Sequence, residues 1–120
     1  METGKKNIAE TIVNEQLTAE AMASGGLPVY ATPAMVALME AAAYRLLKAE
    51  NLDSVGIEMN VKHTRACKIG TPVKAEAEIT AIDGKRVTFN IIACDDKGEI
   101  GSAVHTRYII DAERFMQKLG

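Results

Sequence analysis

The sequence is short of rings: among 120 residues there are two Phe, three Tyr and no Trp, so only 4% is aromatic. It is nearly as short of cysteine, with Cys67 and Cys94 alone, in no C-x-x-C pair and at no zinc-binding spacing. That excludes a disulfide scaffold and a zinc module, and two free thiols without a signal-peptide core lead us to expect a cytoplasmic protein. No basic excess exists either: 14 Lys+Arg face 16 Asp+Glu, for a net charge of −2. With neither a basic face nor stacking aromatics, a nucleic-acid partner is not expected. The longest uncharged stretch, Ala21 to Met39, is broken by Ser, Gly and Pro, so no membrane span is expected. No repeat, linker or low-complexity tract divides the chain, and residues 1–120 read as one domain. What fills the apolar 48% is small: 18 of the residues are Ala.

The chain punctuates itself clearly. Asn7–Leu17 reads as a strand of imperfect alternation and Thr18–Ala23 as a short helical turn, with Ser24-Gly25-Gly26-Leu27-Pro28 as the breaker. Thr32 is a good N-cap and Pro33 suits the first helical position, so a helix is expected from there to about Glu50, ended by Asn51 and Asp53. From Ala34 to Ala43 only Glu40 is not apolar, which predicts a helix buried nearly all round. Period-two patterning follows. Val55–Thr64 puts Ile57, Met59, Val61 and His63 on one face, and Val73–Ile82 does the same with Val73, Ala75, Ala77, Ile79 and Ala81. Asp83-Gly84 is a hairpin turn; Arg86–Cys94 aligns Val87, Phe89, Ile91 and Ala93. Asp95-Asp96-Lys97-Gly98 turns the chain again into Glu99–Ile110, before a short helix over Asp111–Leu119.

One all-apolar helix and one long amphipathic antiparallel sheet fit together if the sheet curls around the helix, an α+β "hotdog" arrangement. A ferredoxin-like sheet would want a second amphipathic helix between strands, and the intervals after Thr64 are too short for one.

Three residues break the pattern. Glu40 is a carboxylate in an apolar helix, with no cation preceding it within helical reach; it needs a partner, water or a proton. His63 closes the inward face of its strand, where imidazole can serve as general base, although a lone strand-end His is more often structural. Thr32 needs no role beyond capping, yet its hydroxyl lies beside free helix N–H groups that favour developing negative charge; with Pro33 lacking a donor, the amides of Ala34 and Met35 are the candidates. His105 shares its face with Gly101, Ala103 and Arg107, which looks less apolar than the Ile100, Val104, Tyr108 face. Thr32 and Glu40 are ~12 Å apart along one helix at ~1.5 Å per residue, so a compact site using both must pool residues across a subunit interface; otherwise one of them acts remotely. The expectation is therefore a homodimer or higher homo-oligomer.

The segments VYATPAMVALMEAA, VGIEMNVKHTRACKIGTPVKAEAEI and ITAIDGKRVTFNIIACDDKGEIGSAVHTRYII resemble the fluoroacetyl-CoA thioesterase-like family of hotdog thioesterases over about Val29 to Phe115. The resemblance implies hydrolysis of a small or medium acyl-CoA to free acid and CoA, without metal or cofactor. It places the family's catalytic Thr, Glu and His on Thr32, Glu40 and His63, and its substrate-site positions on Gly56 and Arg107. Where the fluoroacetyl-CoA enzyme carries a Phe-bearing lid and a Trp after the catalytic Glu, this chain has a shorter segment and Ala41. A broader or larger acyl group is the expectation. CoA phosphates need cations, for which Arg65, Lys68 and Arg107 are the first choices and Lys62 and Lys74 lesser ones. A hotdog dehydratase and a non-catalytic acyl-CoA binding protein are the alternatives, since fold alone does not decide between them.

Overall fold

A computed structural model describes all 120 residues. Strand β1 (Lys6–Ile12) leads through a single 3₁₀ turn (Glu15–Leu17) and an irregular segment to helix α1 (Thr32–Lys48). Strands β2 (Asp53–His63), β3 (Pro72–Asp83), β4 (Arg86–Asp95) and β5 (Gly98–Ile110) follow, and helix α2 (Ala112–Leu119) ends the chain. All pairings are antiparallel and the sheet order is β1-β3-β4-β5-β2, leaving β1 and β2 as its edges. This is the α+β sheet wrapped on one central helix that the patterning predicts. Helix α2 is capped by Asp111 and buries no residue. No helix is long and apolar enough to cross a membrane.

The first strand is shorter than Asn7–Leu17 because Asn14 intervenes. Its side chain accepts from the Gln16 amide at 3.0 Å, a local bond that turns the backbone out of the sheet. Thr18–Ala23 contributes one turn, closed by Met22 N to Thr18 O at 3.0 Å. At its far end, α1 stops where Asn51 takes a left-handed conformation (φ 61°), with Leu52 N bonded back to Leu47 O.

The core lies between α1 and the concave sheet face. Ala34, Met35, Met39, Ala42, Ala43, Leu46 and Leu47 pack against Val73, Ala75, Ala77 and Ile79 of β3 and against Val87, Phe89, Ile91 and Ala93 of β4. The sequence predicts a helix buried nearly all round, but its burial is confined to that stripe. Ala37 and Tyr44 are exposed, and Val36, Glu40 and Ala41 are half-buried, so one face carrying Glu40 lies uncovered in the single chain.

Two β-bulges correct the parity read from the sequence. In β2 the register shifts between Gly56 and Glu58, which turns Ile57 outward (47% exposed) while Gly56 and, beyond the bulge, Met59, Val61 and His63 keep the inner face. In β3 a shift between Ile79 and Ala81 leaves Ala81 exposed. On β5 the inward face is the one carrying Gly101, Ala103, His105 and Arg107, all buried; Val104 and Tyr108 face out. The less apolar face of that strand is thus the inner one.

Small residues set the distance between layers. A Cβ on Gly101 would lie 2.6 Å from the Lys62 carbonyl and 2.7 Å from Met35 Cε. The backbone carbonyl cannot withdraw as a flexible side-chain tip could. Gly101→Ala is therefore expected to cost about 1–3 kcal/mol through overpacking, read as a lower urea midpoint at unchanged m. An unchanged midpoint would show that β5 and α1 are not held this close.

Candidate active site

Two polar clusters flank α1. At its start, Thr32 is the first helical residue and Ala31 the cap, with no side-chain capping bond. Thr32 does not cap as the sequence suggests: its hydroxyl bonds to His63 Nδ1 at 2.8 Å. Of the two amides considered as donors, Met35 N is committed to Ala31 O at 3.0 Å and Met35 is fully buried, which removes it; the Ala34 amide is the free donor of the pair. His63 arrives at the last position of β2 and meets Tyr30 edge-on, ring centroids 6.3 Å apart. Burial lowers the imidazole below its usual pKa of 6.5, against a weaker opposing influence of the nearby Arg65 backbone, so the ring is neutral at pH 7 and able to take a proton. His63 Nε2 and Tyr30 Oη are buried without hydrogen-bond partners, and burial pushes the Tyr30 phenol up to about 12. Thr32, His63, Tyr30, Thr64 and Arg65 line an open cavity of about 230 Å³. Larger hollows, such as one of about 330 Å³ on the outer sheet face beside Ile92 and Val104, lie away from both clusters.

Arg65 is not the free cation expected. Its guanidinium donates to Asp95 Oδ1 at 2.6 Å and to Gly98 O at 3.1 Å, tying the segment after β2 to the β4–β5 turn. That bond, with amides of the turn adding to it, draws the Asp95 carboxyl down to about 2. Cys67 Sγ reaches the other Asp95 oxygen at 3.6 Å, and burial raises the thiol to about 11, so it is no thiolate nucleophile. Both cysteines are unpaired.

The second cluster lies on the uncovered helix face. Glu40 Oε2 is 3.8 Å from Arg107 Nη1, too far for a hydrogen bond but close enough for strong attraction. Arg107 is buried on β5, its Nε donating to Ser54 Oγ (2.8 Å) and Nη2 to Ser54 O (3.0 Å), with the Tyr44 ring 5.7 Å from its Cζ. Gly56 is the floor: a Cβ there would stand 2.8 Å from Glu40 Oε2, 3.2 Å from His105 Cε1 and 3.4 Å from Arg107 Nη1. Without a Cβ at Gly56 the Glu40 carboxylate and the His105 ring can come this close to the strand; any side chain there would displace the carboxylate. The structure therefore brings Thr32 and His63 together, and Glu40, Gly56 and Arg107 together, in separate places on one chain.

The family model for fluoroacetyl-CoA-specific thioesterases matches residues 13–113. A fluoroacetyl-CoA thioesterase of Streptantibioticus cattleyicolor is 38% identical over 95 residues, spanning 76% of this chain and 68% of that one. The chain belongs to the fluoroacetyl-CoA-specific thioesterase family. A solved structure of the fluoroacetyl-CoA thioesterase superposes with a TM-score of 0.92 at 30% identity, covering 99% of this chain and 95% of that one. A thioesterase superfamily member from Thermus thermophilus gives 0.88 at 25%, covering 98% and 92%. A hot-dog-like protein from Thermanaerovibrio acidaminovorans, 18% identical with a TM-score of 0.89 over 99% and 90%, shows the same fold. Like its family, the chain is a thioester hydrolase.

His105, to which the sequence assigns no catalytic role, lies buried beside the second cluster. Its ring is 1% exposed and stacks on Phe89 with centroids 6.1 Å apart. Burial lowers its pKa most, with nearby Arg107 acting the same way and the Glu58 carbonyl and Glu40 opposing. Both histidines thus favour the neutral form when folded, whereas the unfolded chain takes up protons near pH 6.5. Their contribution to stability is complete above about pH 6.5 and is lost as pH falls below it. Urea midpoints should be level from pH 8 to about 7 and decline towards about 5.5, less steeply in His105→Gln. Level midpoints across that range would contradict the assigned histidine environments.

Proposed function

We propose that the chain hydrolyses a small or medium acyl-CoA, in a site pooled between two copies: Thr32 and His63 from one, Glu40, Gly56 and Arg107 from the other. The Thr32–His63 bond carries this reading. A hydroxyl at a buried helix's first turn has been diverted from capping onto a neutral imidazole, which is the pairing a hydroxyl nucleophile requires. The acyl carbonyl oxygen sits at the start of α1, where the Ala34 amide and the helix dipole favour its negative charge during attack. Glu40, beside the Arg107 cation, supplies a second acid–base group. A variant of the related fluoroacetyl-CoA thioesterase has been solved with acetyl-CoA, which supports a short acyl chain. Ala41, small and half-buried beside Glu40, supports a chain longer than acetyl. Two free thiols fit a reducing, cytoplasmic setting.

Pooling is favoured by the uncovered Ala37, Glu40, Ala41 and Tyr44 face of α1 and by the free edge of β2. Thr32 and Glu40, some 12 Å apart on one helix at ~1.5 Å per residue, cannot reach one scissile bond otherwise.

Thiol release from a panel of acyl-CoAs tests the activity. His63→Ala and Glu40→Gln should each lower kcat by about 10²–10⁴-fold. Full turnover in both variants, on every acyl-CoA accepted, would refute the assignment. Mixing the two variants tests pooling separately. In a two-fold dimer, random reassociation restores one intact site per mixed pair, or about a quarter of wild-type activity. A mixture as inactive as its parents would mean that each chain carries its own site.

A further inference from the structure

We infer that His105 is a positioning residue of this site: it holds the Arg107 guanidinium in the orientation that faces Glu40. The inference rests on the reading above and extends it to a buried histidine with no place in that mechanism.

Hydrogen-bond chemistry fixes the state of the ring. Nδ1 lies 2.7 Å from the Glu58 carbonyl oxygen, which can only accept, so Nδ1 carries a hydrogen. Nε2 lies 3.2 Å from Arg107 Nη1, which can only donate, so Nε2 presents its lone pair. His105 is therefore neutral with the proton on Nδ1. A second proton would set an N–H against a guanidinium N–H in a buried space. Phe89 stacks on the ring and stops it from swinging. The Glu58 carbonyl exists at that point because the β2 bulge lies between Gly56 and Glu58.

The consequence falls on Arg107. Ser54 alone holds one edge of the guanidinium, through Nε and Nη2. Nη1, on the other edge, has His105 as its only hydrogen-bond acceptor, and its remaining N–H is the one directed to Glu40 at 3.8 Å. Without the imidazole acceptor, Nη1 has a buried, unsatisfied hydrogen, and the fork pivots about the Ser54 bonds towards the nearest acceptor, the Glu40 carboxylate. A loose 3.8 Å ion pair then closes to a direct bond and takes Glu40 out of service. His105 thus keeps cation and carboxylate near but unbonded, with both reachable above Gly56.

Two substitutions separate positioning from packing. Asn at 105 can reproduce the Nδ1 donor to Glu58 but offers Arg107 nothing; Gln reaches further and can present its amide oxygen where Nε2 stood. His105→Asn should lower kcat at least tenfold with a smaller change in KM, and His105→Gln should recover most of the loss. Equal damage in both, or full kcat in His105→Asn, would overturn the inference. Nitrogen-15 NMR of the wild-type ring gives a readout that needs neither turnover nor a folded variant. A protonated Nδ1 and an unprotonated Nε2 at pH 7 are expected, and the opposite tautomer would overturn the assignment. Should no acyl-CoA be hydrolysed by the wild type, the functional reading fails in that assay, while the NMR result still decides the His105–Arg107 contact.

Discussion

Everything in this molecule depends on how near the sheet can come to α1. The helix presents Ala34, Ala42 and Ala43 to strands that answer with Ala75, Ala77, Ala93 and Ala103, while Gly101 lets β5 press onto Met35. Interiors are packed as tightly as organic crystals, so a wide separation filled by large rings was never an option for a chain with five aromatic residues. The close approach has a chemical result as well as a structural one. It brings the last residue of β2 to the start of the helix, where His63 meets Thr32, and Gly56, His105 and Arg107 to its middle, where they gather around Glu40. A bulkier interface would push both strands beyond hydrogen-bond range of the helix.

Much of this is legible in the sequence, because two periodicities do the work. Strand β4, and β3 as far as Ile79, read directly, since both bury one face and their alternation is clean there. Glu40 and His63 stood out for the same reason: each is a polar residue on an otherwise apolar pattern. Thr32 stood out less, since capping explains a Thr before Pro fully, and only the folded arrangement directs its hydroxyl to His63. What the sequence hid were the bulges. A single extra residue near Ile57 reverses every later side chain relative to the earlier ones, and no local composition signals it.

His105 and Arg65 show that residue type alone does not place a polar side chain. A face bearing Gly, His and Arg can be structural, interfacial or exposed; here it is the inner side. Burying Arg107 is tolerable because Ser54 and His105 satisfy its donors and Glu40 stands near its charge; the polar residues come inside as a set. Arg65 reads as a phosphate ligand because it is a cation after a catalytic-looking motif. Its charge is spent on Asp95, whose side chain is only 5% exposed and would otherwise be a buried anion. Partners, which sequence does not display, decided both cases.

The uncovered stripe of α1 links the fold to the proposed oligomer. A helix apolar nearly all round needs cover on all sides, and one curved sheet supplies it on only one. The exposed remainder is not uniformly apolar: Glu40 lies within it, next to Ala37, Ala41 and Tyr44. A second copy docking there would remove water from Glu40 and strengthen its attraction to Arg107, because the same 3.8 Å separation counts for more in a lower dielectric. Association would then do more than bring Thr32 and His63 of one chain towards Glu40 of another. It would also raise the cost of an unsatisfied Arg107 donor, so the dimer interface and the His105 contact would reinforce each other at the point where the thioester must be held.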